Sequence, residues 1–170
     1  MKTVCGWCLA ELKPEDGKGG GVSHGMCAEC AAFIRANRPG RTLRSFLENL
    51  PVPVLAMDAE ARVAVSNAAA RTLLGRTAEE TVVGRLGGEA LECAYARLPG
   101  GCGRTEHCKA CAVRNAVMET HATGKPRDRV VAHQVLNAPG GPRRQRLLIA
   151  TEKQGDVVLL RIDEVGEVTA

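Results

Sequence analysis

The chain has 170 residues, 45% of them hydrophobic, and its 23 Lys and Arg against 19 Asp and Glu leave a mild net charge of +4. That length admits one domain of ordinary size with a small appendage. The only aromatic residues are Trp7, Phe33, Phe46 and Tyr95, which argues against a nucleic-acid surface built on base stacking and against a large aromatic-lined pocket.

From the N-terminus, Met1-Lys2-Thr3-Val4 runs into Cys5 with no apolar leader, and no stretch approaches the length of a membrane span. These features predict a cytoplasmic, reducing setting without membrane contact. Eight cysteines in such a setting point to metal ligation or redox chemistry rather than a disulfide framework. Four of them form two C-x-x-C pairs, Cys5 with Cys8 and Cys27 with Cys30, separated by 18 residues. Two residues between cysteines let a tight turn aim both thiolates at one ion, and two such turns complete a tetrahedral sulfur shell. Residues 1–38 hold too few large apolar side chains to fold alone, so they are predicted as a zinc-binding module ligated by Cys5, Cys8, Cys27 and Cys30. A saturated shell leaves zinc a structural role. His24 is assigned a supporting or capping role, because four sulfurs already satisfy the ion. A thioredoxin-like redox pair would need a βαβ context that is missing.

Arg38-Pro39-Gly40-Arg41 reads as a hinge, making 39–50 a hinge and linker helix. Leu43, Phe46, Leu47 and Leu50 fall on one helical face that Thr42 would cap and Pro51 and Pro53 would end. Residues 51–170 then form the main domain. Strands are predicted at 52–57 and 62–66, and a helix at 67–75 with an Asn start and a Gly stop. Helices follow at 89–97 and 108–122, the second stopping at Gly124, then strands at 129–136, 145–151 and 156–162. Strands at both ends of a helical middle predict an α+β fold: an antiparallel sheet with helices on one face. Arg143, Arg144 and Arg146 follow the turn signal of residues 137–141, so a solvated hairpin tip accounts for them; a nucleic-acid patch is the competing reading.

The phrase from Leu50 to Asp58 (LPVPVLAMD), then Arg62 to Asn67 (RVAVSN), then Leu73-Leu74-Gly75 and the turn Val83-Gly84-Arg85-Leu86 together resemble a PAS domain, as does the element order from Leu43 to Val165. The resemblance implies a five-stranded PAS-like sheet and a sensory role. The phrase from Ser23 to Cys30 (SHGMCAEC) resembles the end of small zinc-ribbon-like modules attached to bacterial two-component signalling proteins.

A second cysteine set lies inside the PAS-like region: Cys93, Cys102, Cys108 and Cys111, spaced C-x8-C-x5-C-x2-C. On the predicted helix, Cys108 and Cys111 share a face near the positive end of the dipole, which favours thiolate. Cys102 sits among Gly100, Gly101 and Gly103, where the backbone can wrap an ion, and Cys93 would project from the preceding helix. Four such thiolates suit a [4Fe-4S] cluster or a second zinc. Buried structural cysteines and a reversible disulfide are the remaining readings, with His107 an alternative ligand. His121 and His133 are read as an exposed helix residue and a strand residue with satisfied ring nitrogens. The resemblance adds the expectation of a redox-active centre, since some PAS domains hold haem, flavin or iron–sulfur cofactors. Few aromatics and no haem attachment motif speak against flavin and haem.

No phosphate loop, nucleophile elbow or metalloprotease helix is present, and neither the Gly17–Gly21 run nor the Gly84–Gly88 segment has a phosphate loop's context. The sequence therefore predicts a non-enzymatic signal-transduction sensor or adaptor, sensing redox state, metal or ligand through the second cysteine set. Its output would pass to a kinase or regulator, through a homodimer, or through the zinc module. The alternative is a zinc-stabilised protein- or DNA-interaction regulator with an inert PAS core. A thiol redox enzyme using Cys108 and Cys111 ranks below both.

Overall fold

The computed structural model describes residues 2–13, 22–36, 41–76 and 82–168. The Gly17–Gly21 run and positions 38–40 of the predicted hinge lie outside the described residues. The chain divides into two compact units, Met1–Phe46 and Leu47–Ala170, with the division falling inside a helix.

In the first unit, β1 (Lys2–Cys5) lies between β2 (Glu11–Lys13), antiparallel to it, and β3 (Val22–Gly25), parallel to it. Helix α1 (Ala28–Ala36) follows, and α2 (Arg41–Glu48) begins in this unit. Helix α2 starts at Arg41, so Thr42 lies within its first turn rather than at its cap. The rings of Phe33 and Phe46 pack with centroids 5.0 Å apart.

The second unit carries the predicted antiparallel sheet. Its strands are β4 (Val54–Met57), β5 (Val63–Ser66), β6 (Arg127–Ala138), β7 (Gly141–Gln154) and β8 (Val157–Glu167), in spatial order β5-β4-β8-β7-β6. Alternation decides the faces. Leu55, Met57, Leu147, Ile149, Val158, Leu160 and Ile162 enter one core with Ala70, Ala90, Val113, Ala116 and Val117 from the helices. Val54, Ala56, Leu148 and Leu159 alternate with them and are buried on the opposite face of the sheet.

The helices between the strands are α3 (Ala68–Leu73), α4 (Gly87–Ala90) and α5 (Ala112–Thr123). The expected start and stop residues of α3 are in place, with Asn67 capping it and Gly75 in the left-handed region at φ 63°. Two helix expectations are corrected. The stretch 89–97 is not one helix: α4 ends at Ala90, Glu92 takes φ 57°, and a 3-10 turn covers Ala94–Arg97. The stretch 108–122 is likewise split, into a 3-10 helix at Glu106–Ala110 and α5, with Cys111 as the N-cap of α5. Gly124, at φ 71°, ends α5 as expected.

Asn67 ties this unit together. It is fully buried, and its amide makes four hydrogen bonds. Oδ1 accepts from the N–H of Val54 (3.0 Å) and Ala70 (2.9 Å), while Nδ2 donates to the carbonyls of Leu50 (3.3 Å) and Val52 (2.7 Å). Asn67→Ala would orphan several buried backbone groups and is expected to destabilise the protein by about 3–5 kcal/mol, each orphaned group costing about 1–3 kcal/mol. Urea denaturation of the two proteins measures the loss, and a loss under about 1 kcal/mol would contradict this role for the amide.

Candidate metal centres

The first unit folds its cysteines into two short turns. The Cys5 N–H donates to the Ala10 carbonyl (2.7 Å) and the Leu9 N–H returns to the Cys5 carbonyl (2.9 Å), with Leu9 at φ 62°. The second pair opens α1, so Cys30 lies in that helix's first turn. The Cys27 N–H points at Cys5 Sγ (3.4 Å) and the Cys30 N–H at Cys27 Sγ (3.3 Å). All four Sγ atoms fall within 4.8 Å of one another, Cys8 and Cys27 at 3.7 Å. A tetrahedral zinc with bonds of about 2.3 Å spaces its sulfurs at just under 4 Å. The group can hold a single metal ion.

Its electrostatics fit a cation as well. Burial pushes the Cys5 thiol up, but hydrogen bonds from the backbone of Cys27, Cys8 and Trp7 outweigh it and bring Cys5 down to about 7. Burial and the neighbouring Cys27, Cys8 and Cys5 sulfurs push Cys30 well above the ordinary thiol range. Four sulfurs this close cannot all ionise without a positive charge among them. Metal uptake must therefore displace protons, from Cys30 and Cys8 at any physiological pH and from Cys5 also below about pH 7. Zinc affinity is expected to weaken by at least about tenfold for each unit of falling pH, more steeply below pH 7. Competition with a chromophoric chelator across that range measures it, and a flat profile would contradict the assignment.

The second set is held by the segment between β5 and α5. The Val83–Leu86 turn is bonded to β5 through Gly84 N–H to the Val63 carbonyl (2.7 Å) and Val63 N–H to the Arg85 carbonyl (2.9 Å). From there the Cys93 N–H reaches the Gly88 carbonyl (2.7 Å), and Cys93 bridges to Leu136 on β6. Gln134 Nε2 donates to the Leu91 carbonyl (2.6 Å). Cys102 lies in a turn flanked by Gly101 and Gly103 at φ 73° and 87°. Cys93 caps a 3-10 turn rather than projecting from a helix, and Cys108 and Cys111 do not share one helix.

Even so, Cys93, Cys102, Cys108 and Cys111 all line one cavity, of about 110 Å³, together with Met57, Leu91, Val113, Val117, His107 and Arg114. Among the described residues, the N-terminal four are the group whose ligand atoms meet the 4.8 Å spacing; the second set forms no such group. Burial is the largest influence on Cys93 and Cys102 and pushes both thiols up. Burial also acts upward on Cys108, but the Thr105 hydroxyl, the Gly103 N–H and the Arg114 guanidinium outweigh it and hold that thiol below the ordinary value. His107, weighed as a ligand, stacks on Tyr95 at 3.9 Å beside the cavity. His121 Nε2 lies 3.3 Å from the Asp156 carbonyl, and His133 is exposed on β6. None of the eight cysteines is paired in a disulfide.

Gly88, Thr105 and Arg114 were not legible as site residues. The Gly87-Gly88 doublet carried a signal, a backbone that must approach something closely, but it points at a sulfur rather than a phosphate. The cationic hairpin is partly neutralised by β8, since Arg143 lies 3.6 Å from Glu167 and Arg146 3.5 Å from Glu164. Among the described residues no helix is long and apolar enough to cross a membrane.

The family model of the PAS fold matches residues 41–92, the span running from α2 through β4, β5 and α3 to α4 and Glu92. Over those residues the chain matches the PAS fold, and the five-stranded antiparallel sheet that the resemblance implies is present. None of the curated proteins matches it. Among solved structures it is similar to the photoactive yellow protein domain of the sensor histidine kinase Ppr from Rhodospirillum centenum, at 18% identity and TM-score 0.46, covering 78% of this chain and 98% of that one. The PAS domain of nitrogen regulation protein NR(II) from Vibrio parahaemolyticus gives 13% identity and TM-score 0.43, covering 72% and 96%. The PAS domain of BvgS from Bordetella pertussis gives 17% and 0.38, covering 72% and 78%.

Proposed function

We propose that this chain is a non-enzymatic cytoplasmic sensor or adaptor in signal transduction. Its PAS domain senses redox state or metal through Cys93, Cys102, Cys108 and Cys111. Its N-terminal module holds a structural zinc on Cys5, Cys8, Cys27 and Cys30 and serves partner contact. The partner is a kinase or regulator of a two-component system, and a homodimer is a second output route.

The observation that carries the reading is the convergence of all four PAS-domain cysteines on one cavity, in a segment bonded to both β5 and β6. A change in what those sulfurs hold would alter the segment's fit to the sheet, which is how a local binding event becomes a domain-wide one. The cross-strand pairs of Arg143 and Arg146 on the hairpin leave the DNA-binding alternative without a comparable observation.

Replacing Cys108 and Cys111 by Ser removes two of the four sulfurs and leaves the first unit intact. The double variant is expected to keep one zinc per chain and lose every other bound metal. Metal analysis of the two purified proteins measures this, and an unchanged metal content would refute the sensing site.

A further inference from the structure

The two cysteine sets differ in a way that bears on what the second one holds. In the first unit four sulfurs sit at the mutual spacing of a single tetrahedral ion. The PAS-domain sulfurs instead ring a cavity of about 110 Å³. A single zinc fills the space between its own ligands and needs no cavity. In an iron–sulfur cubane each thiolate binds a different iron, so the sulfurs stand further apart around a core that occupies volume.

Local backbone geometry separates the sets again. In the first, the sulfur of Cys27 takes its hydrogen bond from the Cys30 N–H, which folds the C-x-x-C pair inward on one point. Cys108 Sγ is instead bonded upstream, by the Gly103 N–H (3.1 Å) and beside the Thr105 hydroxyl (3.1 Å). Cys111 Sγ is bonded downstream, by the Arg114 N–H (3.5 Å). The two sulfurs of this pair thus take their hydrogen bonds from opposite directions along the chain, although its sequence spacing is that of a zinc knuckle. Cys102 Sγ accepts from the Gly88 N–H (3.3 Å), and a Cβ at Gly88 would stand 2.7 Å from that sulfur. Only glycine allows this approach. Such N–H···S bonds are what stabilise the charge on cluster thiolates and set reduction potentials.

Met57, Leu91, Val113 and Val117 give the cavity apolar walls, and Arg114 brings a guanidinium to it. Arg114 also lies against Gly103, where a Cβ would meet the guanidinium at 3.0 Å, so the loop between Cys102 and Cys108 passes close under the cation. A cubane of charge 2+ with four thiolates carries 2− overall, and a cation at its edge favours the form with one more electron.

We propose that Cys93, Cys102, Cys108 and Cys111 bind one [4Fe-4S] cluster, with Arg114 as its charge partner. This rests on the preceding reading that the set binds metal, and it names the occupant. The cluster takes up one electron on reduction, passing from 2+ to 1+ with no bond made or broken. In the test below dithionite supplies that electron.

The full chain, stripped of metal and then incubated without oxygen with zinc, ferrous iron, sulfide and a thiol, is analysed for metal and acid-labile sulfide. The expected result is one zinc with four irons and four sulfides per chain, visible charge-transfer absorption, and an electron paramagnetic signal that appears on reduction. Gly88→Ala is expected to lose iron and sulfide while keeping the zinc and the circular dichroism of the parent. Arg114→Gln is expected to load the cluster at a lower reduction potential, and Arg114→Lys to return the potential toward the parent's. Two zincs per chain and no sulfide would overturn the cluster while leaving a metal-binding PAS domain. One zinc and nothing else would overturn both. An equal potential in Arg114→Gln would remove Arg114 from its role.

Discussion

Asn67 joins the segment that follows α2, the first strand of the main sheet and helix α3. Its amide has two acceptor sites and two donors, and every one is used on backbone groups that burial would otherwise leave unpaired. Because Leu50 and Val52 precede β4, the end of α2 cannot move freely of the sheet. Arg71 reinforces the joint. It donates to the Ser66 carbonyl (2.8 Å) and pairs with both carboxylate oxygens of Glu48 at the end of α2. Polar groups sunk this deep are costly unless fully satisfied, and full satisfaction is what makes such a network specify one arrangement.

The cysteine segment hangs from the other end of the same sheet. Cys93 is pinned to Leu136, Leu91 to Gln134, and Gln134 in turn accepts from Gln145 on β7 (3.0 Å). Helix α5, capped by Cys111, meets β7 through the buried pair of hydroxyls of Thr120 and Thr151 (2.7 Å) and through Lys153, which donates to the His121 carbonyl (2.6 Å). The segment carrying the four sulfurs is thus tied to β6 at Cys93 and, by way of helix α5, to β7 through side-chain bonds at Thr120 and Lys153. A cofactor at those sulfurs adds bonds to a segment already tied to the sheet, so its loss would be felt along the strands.

The parts of this architecture that could be read from the sequence are those set by local rules. The strands expected at 52–57 and 62–66, the Asn start of α3 and the Gly stop of α5 appear where the pattern put them. The helices expected at 89–97 and 108–122 broke for a reason outside local propensity. Residues such as Glu89, Ala94 and Ala96 favour helix, but Cys93 is held by β6 and Glu92 turns left-handed to allow it. The three strands of the first unit were not foreseen, because elements of three or four residues among cysteines and glycines show no usable period. At the candidate sites the eight cysteines were visible as spacings in the sequence. Their supporting groups, Gly88, Thr105 and Arg114, were not, since they are recruited across the fold rather than along it.

The central claim is that occupancy of the PAS-domain cysteines is coupled to the sheet. Amide hydrogen exchange tests it most directly, comparing the metal-loaded chain with the Cys108→Ser, Cys111→Ser double variant, both with the N-terminal zinc in place. The account predicts slower exchange in the loaded protein at Gly88–Cys93 and the start of α5, extending into Gln134–Leu136 of β6 and Thr151–Lys153 of β7. Protection confined to the cysteine segment, with β6 and β7 exchanging equally in the two proteins, would contradict it.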